Sequence, residues 1–425
     1  MASPIATGDG SPPDPARQLS ALDPASPRFA TEAVDLLLAA SRRAGASDLH
    51  LQPTPEGLVA QVRIDGVLQP LAVLPASMAP NVVARLKVLA ELLTYRTDIP
   101  QEGRIRAEPG RPETRVSTFP TLHGERAVVR LFAESGRLLD LDELGLAPDV
   151  LAGLRLALEE TSGLIVLSGP AGSGKTTTLY ACLRALAASS GGHRCIASLE
   201  DPIEAAVPGV VQAQVNPQAG FALDSGLRSL LRQDPEVIAV GEIRDPSTAE
   251  VAFQAALTGH LVLTTFHSGS AAGAVGRLSD MGIEPYLLRS GLRAILSQRL
   301  VRLLCDSCAR PLSSSAADDP ARLGLPISSG RAPVGCDSCR GTGYLGRSPL
   351  AELLVPGRGA VARAVLSRAD VDRIESAAVS AGMVPLWERA LSAASDGTTS
   401  PAEIRRVLGV ARQGGSGANA LSSGD

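Results

Sequence analysis

The chain has 425 residues, of which 44% are apolar and 20% charged, with a formal net charge of −4, enough for roughly two to four ordinary globular domains. An acidic balance with 3% aromatics and a single tryptophan, Trp387, argues against a nucleic-acid binder, which needs a basic field and stacking rings. No apolar run reaches the ~18 residues of a membrane-spanning helix, and residues 1–27 lack the basic and apolar regions of a secretory signal, so a cytosolic protein is expected.

Residues 1–27, rich in Pro, Ser, Ala and Asp, read as a disordered lead-in. Apolar residues at helical spacing then predict helices over 29–44 and 76–93, while Leu58, Ala60, Val62 and Ile64 alternate as in a strand. Asp65-Gly66 offers a hairpin turn. With further strand-like runs at 115–119 and 125–132, residues 28–141 form a small α+β domain. Residues 142–302 read as an α/β core: helix 149–160, strand 164–167, helix 175–187, strands 195–199 and 210–214, helix 224–233, strand 237–240, helix 247–257 and strand 261–265. Strands alternating with helices imply a mostly parallel sheet. Leu288, Leu292, Ile295, Leu296 and Leu300 predict a further helix over 285–301. A cysteine module covers 303–348, a helical region 349–410, and a Gly/Ser-rich tail 411–425 reads as disordered.

The chemistry starts at Gly169-Pro170-Ala171-Gly172-Ser173-Gly174-Lys175-Thr176, which follows the apolar strand 164–167. This is the G-x4-G-K-[ST] phosphate-binding loop, and it sets the substrate class as a nucleoside triphosphate. The glycines let backbone N–H groups converge on phosphate oxygens, and the helix behind adds its positive end. Lys175 is expected at the β- and γ-phosphates, the Thr176 hydroxyl on Mg2+, and Thr177 beside it. Strand 237–240 leads to Glu242, placed to polarise the attacking water. Gly241 stands where many such ATPases carry a magnesium-holding Asp, so Mg2+ is expected to be reached through waters. Glu200, Asp201 and Glu204 follow another short strand as candidate Mg2+ or water contacts, or as a solvated acidic turn. His260 and His267 bracket strand 261–265. His267 is a candidate γ-phosphate sensor or a hydrogen-bond partner of Glu242, and either histidine is equally readable as structural.

Cys305-x2-Cys308 and Cys336-x2-Cys339 supply four thiolates at knuckle spacing, which suits a closed, structural Zn2+ site. Cys182 and Cys195 read as isolated, buried small residues. The N-terminal domain is rich in arginine (Arg63, Arg85, Arg104, Arg106, Arg115, Arg126, Arg130), and a phosphate-binding core without its own arginine finger commonly borrows one from a neighbouring domain or subunit.

These motifs, in this order, resemble the secretion ATPase family of type II secretion and type IV pilus assembly, from about residue 30 to residue 405. Ala46–Leu51, Arg63–Leu68, Pro100–Ile105 and Arg115–Thr118 resemble the family's second N-terminal domain. Glu200-Asp201-Pro202 with Glu204 resembles its Asp box, Leu231–Pro235 with Gly241–Asp245 its Walker B signature, Gly259-His260 with His267-Ser268 its His box, and Gly341–Arg347 the end of its zinc module. The resemblance implies a RecA-like P-loop ATPase domain preceded by a small α+β (PAS-like) domain, with a four-cysteine zinc module and a helical C-terminal region. It further implies a homo-hexamer at the cytoplasmic face of the inner membrane, with Arg104 and Arg115 as interdomain or trans phosphate contacts. A polytopic inner-membrane platform protein is the implied partner, and no nucleic acid is expected. Many members dock on a membrane-anchored adaptor through an additional N-terminal domain that has no counterpart in these residues. The rival class is a nucleic-acid-handling motor on the same core.

Overall fold

A computed structural model of the chain describes residues 15–106, 113–131, 139–312, 320–357 and 359–409. The chain divides into two compact units, Met1–Arg137 and Leu138–Asp425.

In the first unit, helices α1 (Pro15–Ser20), α2 (Phe29–Arg43) and α3 (Ala79–Leu89) accompany six strands: β1 (Asp48–Thr54), β2 (Gly57–Ile64), β3 (Val67–Leu74), β4 (Gln101–Ile105), β5 (Thr114–Thr121) and β6 (Gly124–Leu131). The strands pair antiparallel in the order β3-β2-β1-β6-β5-β4. The hairpin turn forms at Asp65 and Gly66, both with positive φ (49° and 81°), the backbone that a tight two-residue turn requires. Leu49, Leu51, Leu58, Ala60 and Val62 alternate onto one face, where they join Phe29, Val34 and Leu37 in the core. The lead-in is not wholly structureless as expected: α1 forms and buries Leu19 in this core. Residues 1–14 and the expected disordered tail 411–425 lie outside the described residues.

The second unit follows the α/β alternation. Its elements are α4 (Pro148–Leu158), β7 (Gly163–Ser168), α5 (Lys175–Ser190), β8 (Ile196–Glu200), β9 (Val211–Gln214), α6 (Leu223–Leu230), β10 (Val237–Val240), α7 (Pro246–Leu257), β11 (Leu261–Phe266), α8 (Ala271–Asp280), α9 (Pro285–Gly291) and β12 (Leu292–Leu304). Short strands β13 (Arg310–Pro311) and β14 (Arg331–Ala332), then β15 (Tyr344–Leu354), precede the helices α10 (Ala360–Leu366), α11 (Val371–Ser380), α12 (Leu386–Ser395) and α13 (Pro401–Leu408). Seven strands make one sheet in the order β15-β12-β7-β11-β10-β8-β9. All neighbours are parallel except β15 on β12. β7 is buried along its whole length because it is covered on both faces. Leu164 and Val166 join the core beneath α7 and α8, and Ile165 and Leu167 the one beneath α4 and α5. Among the described residues no helix is long and apolar enough to cross a membrane.

One element differs in kind from the sequence expectation. Residues 285–301 are a helix only in their first part: α9 ends at Gly291 and the chain continues as the 13-residue strand β12. Leu292, Ile295, Leu296 and Leu300 do recur at helical spacing, but a strand covered on both faces can bury consecutive apolar residues, as Ala294, Ile295 and Leu296 do, and so lose its period of two. Pairing decides the matter, because β7 lies on one side of β12 and β15 on the other. β15 itself was missing from the sequence reading, and it runs through the 348/349 boundary drawn there between the cysteine module and the helical region.

Candidate functional site

β7 delivers the glycine-rich loop to the C-terminal edge of the parallel sheet, where open α/β sheets bind ligands. Gly169, Gly172 and Gly174 all have positive φ (150°, 72° and 89°). A side chain at Gly169 would meet the Gln298 carbonyl oxygen at 2.5 Å, whereas nothing lies within 4 Å of the corresponding position at Gly172. Pro170, Ala171, Gly172, Thr176 and Thr177 are exposed, Ser173 and Lys175 are buried, and α5 begins at Lys175. Lys175 Nζ donates to the loop's own carbonyls, Gly169 O at 2.8 Å and Pro170 O at 3.0 Å. Burial pushes its pKa down, and the Glu242 charge opposes that shift. The buried Ser173 hydroxyl has no partner among the described residues. An orphaned hydroxyl, an open positive-φ glycine and an exposed Thr176 at a helix start are the features a phosphate group with its Mg2+ would fit.

Glu242 lies just beyond β10, two strands from β7 and therefore roughly 10 Å across the sheet. Its segment is fixed on both sides: Gly241 N donates to Leu199 O (2.8 Å), and Thr265 Oγ1 donates to Gly241 O (2.6 Å). A Cβ at Gly241 would come within 3.3 Å of Glu200 Cα, a tight fit for the Asp that many such sites carry there. Glu242 Oε1 meets His267 Nε2 at 2.8 Å, and Oε2 accepts from Arg244 Nε at 2.8 Å. His267 is held in turn by Arg277, which donates to its carbonyl and stacks over Phe266.

The other sequence-predicted residues divide. Asp201 and Glu204 are exposed. Glu200 is 3% exposed and committed to internal bonds. Tyr180 Oη donates to its Oε2 at 2.5 Å, while Ser198 Oγ (2.6 Å) and Gln212 Nε2 (2.9 Å) donate to Oε1. Tyr180 Oη also accepts from Glu204 N at 3.0 Å, so the buried acid organises the acidic loop from within. His260 precedes β11 and His267 follows it, which puts His260 at the opposite sheet edge, roughly 20 Å from the loop. There it bonds Ala255 O (3.0 Å). In the first unit, Arg104 faces Arg115 across β4 and β5, and Arg115 faces Arg130 across β5 and β6. Arg104 also pairs with Glu113 at 3.1 Å.

Gln298 went unnoticed in the sequence because its segment reads as a helix. On β12 it is 1% exposed, and its amide touches the phosphate loop. Glu352, 2% exposed on β15, accepts from Ala271 N (2.7 Å) and Leu386 N (2.8 Å), at the starts of α8 and α12. Burial pushes its pKa up against those two donors.

β12 runs out of the sheet into Cys305. The sulfurs of Cys305, Cys308, Cys336 and Cys339 all lie within 4.8 Å of one another, with pairs at 3.7 and 3.8 Å. A tetrahedron with ~2.3 Å metal–sulfur bonds has edges of about 3.8 Å, so the donor set fits Zn2+. N–H groups point at these sulfurs, from Gly335 to Cys308 (3.3 Å) and from Cys336 (3.2 Å) and Gly343 (3.1 Å) to Cys339. Burial pushes the Cys339 thiol up, but these donors and the neighbouring thiols outweigh it and hold it at about 6. Of the two remaining cysteines, Cys182 is buried as expected, whereas Cys195 is exposed, contrary to expectation.

The family model described as "Type II/IV secretion system protein" matches residues 26–406. The chain belongs to that family. It is 41% identical over 376 residues to the type II secretion system protein HxcR of Pseudomonas aeruginosa, covering 88% of this chain and 76% of the relative. Over 369 residues it is 38% identical to the type IV pilus assembly ATPase PilB of Thermus thermophilus, covering 84% of this chain and 41% of the relative. The solved structure of the ATPase DotB of Legionella pneumophila, at 21% identity, covers 90% of this chain and 96% of its own with a TM-score of 0.64, a likeness of fold. The family is thus the secretion ATPases, and its fold class, a RecA-like α/β core behind an α+β unit, is the one expected. Family membership implies a nucleotide and Mg2+.

Proposed function

We propose that this chain is the Mg-ATP-hydrolysing motor of a type II secretion or type IV pilus assembly machine. It works as a homo-hexamer at the cytoplasmic face of the inner membrane, where hydrolysis drives a polytopic platform protein that adds pilin-like subunits. The observation that carries this reading is Glu242, held by His267 and Arg244 at the same sheet edge as the phosphate loop.

On ATP binding, Lys175 leaves the carbonyls of Gly169 and Pro170 for the β- and γ-phosphates. Backbone N–H groups of 169–176 and the start of α5 cradle the phosphates, and Thr177 and the exposed acids Asp201 and Glu204 border the cradle. Thr176 would hold Mg2+, which when bound supplies charge compensation at the phosphate oxygens. Glu242 orients and polarises the attacking water, and His267 fixes the Glu242 carboxylate in place. Arg104 and Arg115 contribute positive charge to a nucleotide from across an interface, as trans arginines do in related phosphoryl-transfer sites. The four cysteines hold a structural Zn2+, a closed set with no open position for chemistry.

Phosphate release by the purified full chain tests the reading. Hydrolysis of ATP with Mg2+, lost together with nucleotide binding in Lys175→Ala, supports it. A chain that binds ATP without turnover overturns it, and salt-sensitive stimulation by DNA points instead to a nucleic-acid motor.

A further inference from the structure

Gln298 is the one buried amide that joins β12 to the phosphate loop among the described residues. Its Nε2 donates to Ser173 O at 2.7 Å, and its Oε1 accepts from Thr178 Oγ1 at 3.0 Å. The first partner lies inside the glycine-rich loop and the second on the opening turn of α5, so one side chain spans the junction on which Lys175 and Thr176 stand. Two of the loop's glycines lie against the same neighbour. A Cβ at Gly169 would strike Gln298 O at 2.5 Å, and one at Gly174 would come within 3.0 Å of Gln298 Nε2. Gly172, with open space beside it, is the glycine left facing outward.

The next residue of the strand holds the opposite wall of the site. Arg299 donates to Gly269 O at 2.7 Å, just beyond His267. Because successive side chains of a strand point to opposite faces, β12 can grip the phosphate loop with Gln298 and the histidine loop with Arg299, which no helix over these residues could do.

We infer that Gln298 is a positioning residue of the nucleotide site, which fixes the phosphate loop in its binding-competent shape by bridging Ser173 and Thr178. It touches no reacting atom. An unpaired buried amide or carbonyl costs on the order of a tenfold change in an equilibrium, so losing this bridge should appear in nucleotide affinity. This inference rests on the proposed ATP-binding role of the loop.

The test uses the full chain and titrates a fluorescent ATP analogue, with KM, kcat and the melting temperature measured alongside. Gln298→Met keeps the volume and removes both bonds. It should raise Kd and KM about tenfold while kcat changes much less, because the loop is misplaced but Glu242 is not. Thr178→Val removes one end of the bridge, and combining it with Gln298→Met should add little to Kd, the non-additivity of two partners in one contact. Gln298→Glu supplies the second arm. Its ionised carboxylate repels Ser173 O and its protonated form donates to it, so its KM should fall back toward that of the wild type as pH is lowered, relative to the wild-type profile. A folded Gln298→Met chain whose Kd lies within about twofold of wild type overturns the inference. Should that variant fail to fold, a Gln298→Glu KM that follows the wild-type pH profile overturns it equally. Wild-type protein that binds no ATP removes the parent reading, whereas wild type and variants that bind alike remove only the Gln298 assignment.

Discussion

Glu242 Oε1 and His267 Nε2 meet at 2.8 Å at the ends of two adjacent parallel strands, with the Glu242 side chain 18% exposed and that of His267 44% exposed. This pairing gives the carboxylate a fixed direction while leaving it reachable by water. It also separates two roles that mutagenesis can tell apart.

Removing the negative charge tests the first role. Glu242→Gln keeps the shape and one acceptor oxygen but cannot accept a proton from an attacking water. Turnover should fall by about a hundredfold or more, with ATP binding retained. Steady-state phosphate release and equilibrium nucleotide binding, measured on the same preparation, check this. Normal hydrolysis by the variant would remove Glu242 from the mechanism.

Removing the orienting partner tests the second. His267→Ala leaves Glu242 with Arg244, whose side chain is 68% exposed and holds only the other oxygen. A carboxylate that can rotate loses part of its alignment, so kcat should drop roughly tenfold while KM stays near the wild-type value. A large rise in KM with kcat unchanged would instead place His267 on the bound phosphate.

The cysteine module predicts its own metal content. Sulfur pairs at 3.7 and 3.8 Å match the edge of a zinc–thiolate tetrahedron, so metal analysis should find about one zinc per chain. Chelation under mild denaturant, or Cys339→Ser, should lower the melting temperature, because the four sulfurs tie Cys305–Cys308 to Cys336–Cys339 across a long connection. A fully folded chain that contains no metal and melts as before would refute the site.

Much of this site was legible in the sequence because its chemistry sits at strand ends. Gly169–Thr176, Glu242 and His267 each follow an apolar run, and the run itself positions them. What stayed hidden was tertiary. Glu200 reads like its exposed neighbours Asp201 and Glu204, yet Tyr180, Ser198 and Gln212 draw it inside. Those three residues lie 20, 2 and 12 positions away, and no local pattern announces their convergence. Gln298 and Glu352 were missed for a related reason: the first sits on a strand whose leucines mimic a helix, and the second on a strand seen only through its pairing with the first. His260 and His267 share a motif, but the length of β11 sets them at opposite sheet edges, a separation that the motif does not announce.

The far end of β12 carries the last prediction. Arg302 clamps Glu403 of α13 through Nε (3.1 Å) and Nη2 (2.7 Å), Arg406 adds bonds of 2.7 and 2.5 Å, and the Arg302 guanidinium stacks on the Tyr344 ring at 3.8 Å. The Glu403 side chain is fully buried. Burial alone would push its carboxyl up, but the bonds from Arg406 and Arg302 outweigh it and hold the pKa at about 2, below the ordinary 4.5 of a glutamate. A depressed carboxyl stabilises the fold fully above its unfolded pKa, and that contribution fades as pH falls from 4.5 towards 2. Glu403→Gln should therefore cost about 3 kcal/mol at neutral pH, since it leaves two arginines around a neutral group. The deficit relative to wild type should shrink steadily through that acid window in urea melts. A difference that stays constant from pH 7 to pH 3 would show that packing of α13, and not its ion pairs, fixes the helix to the strand.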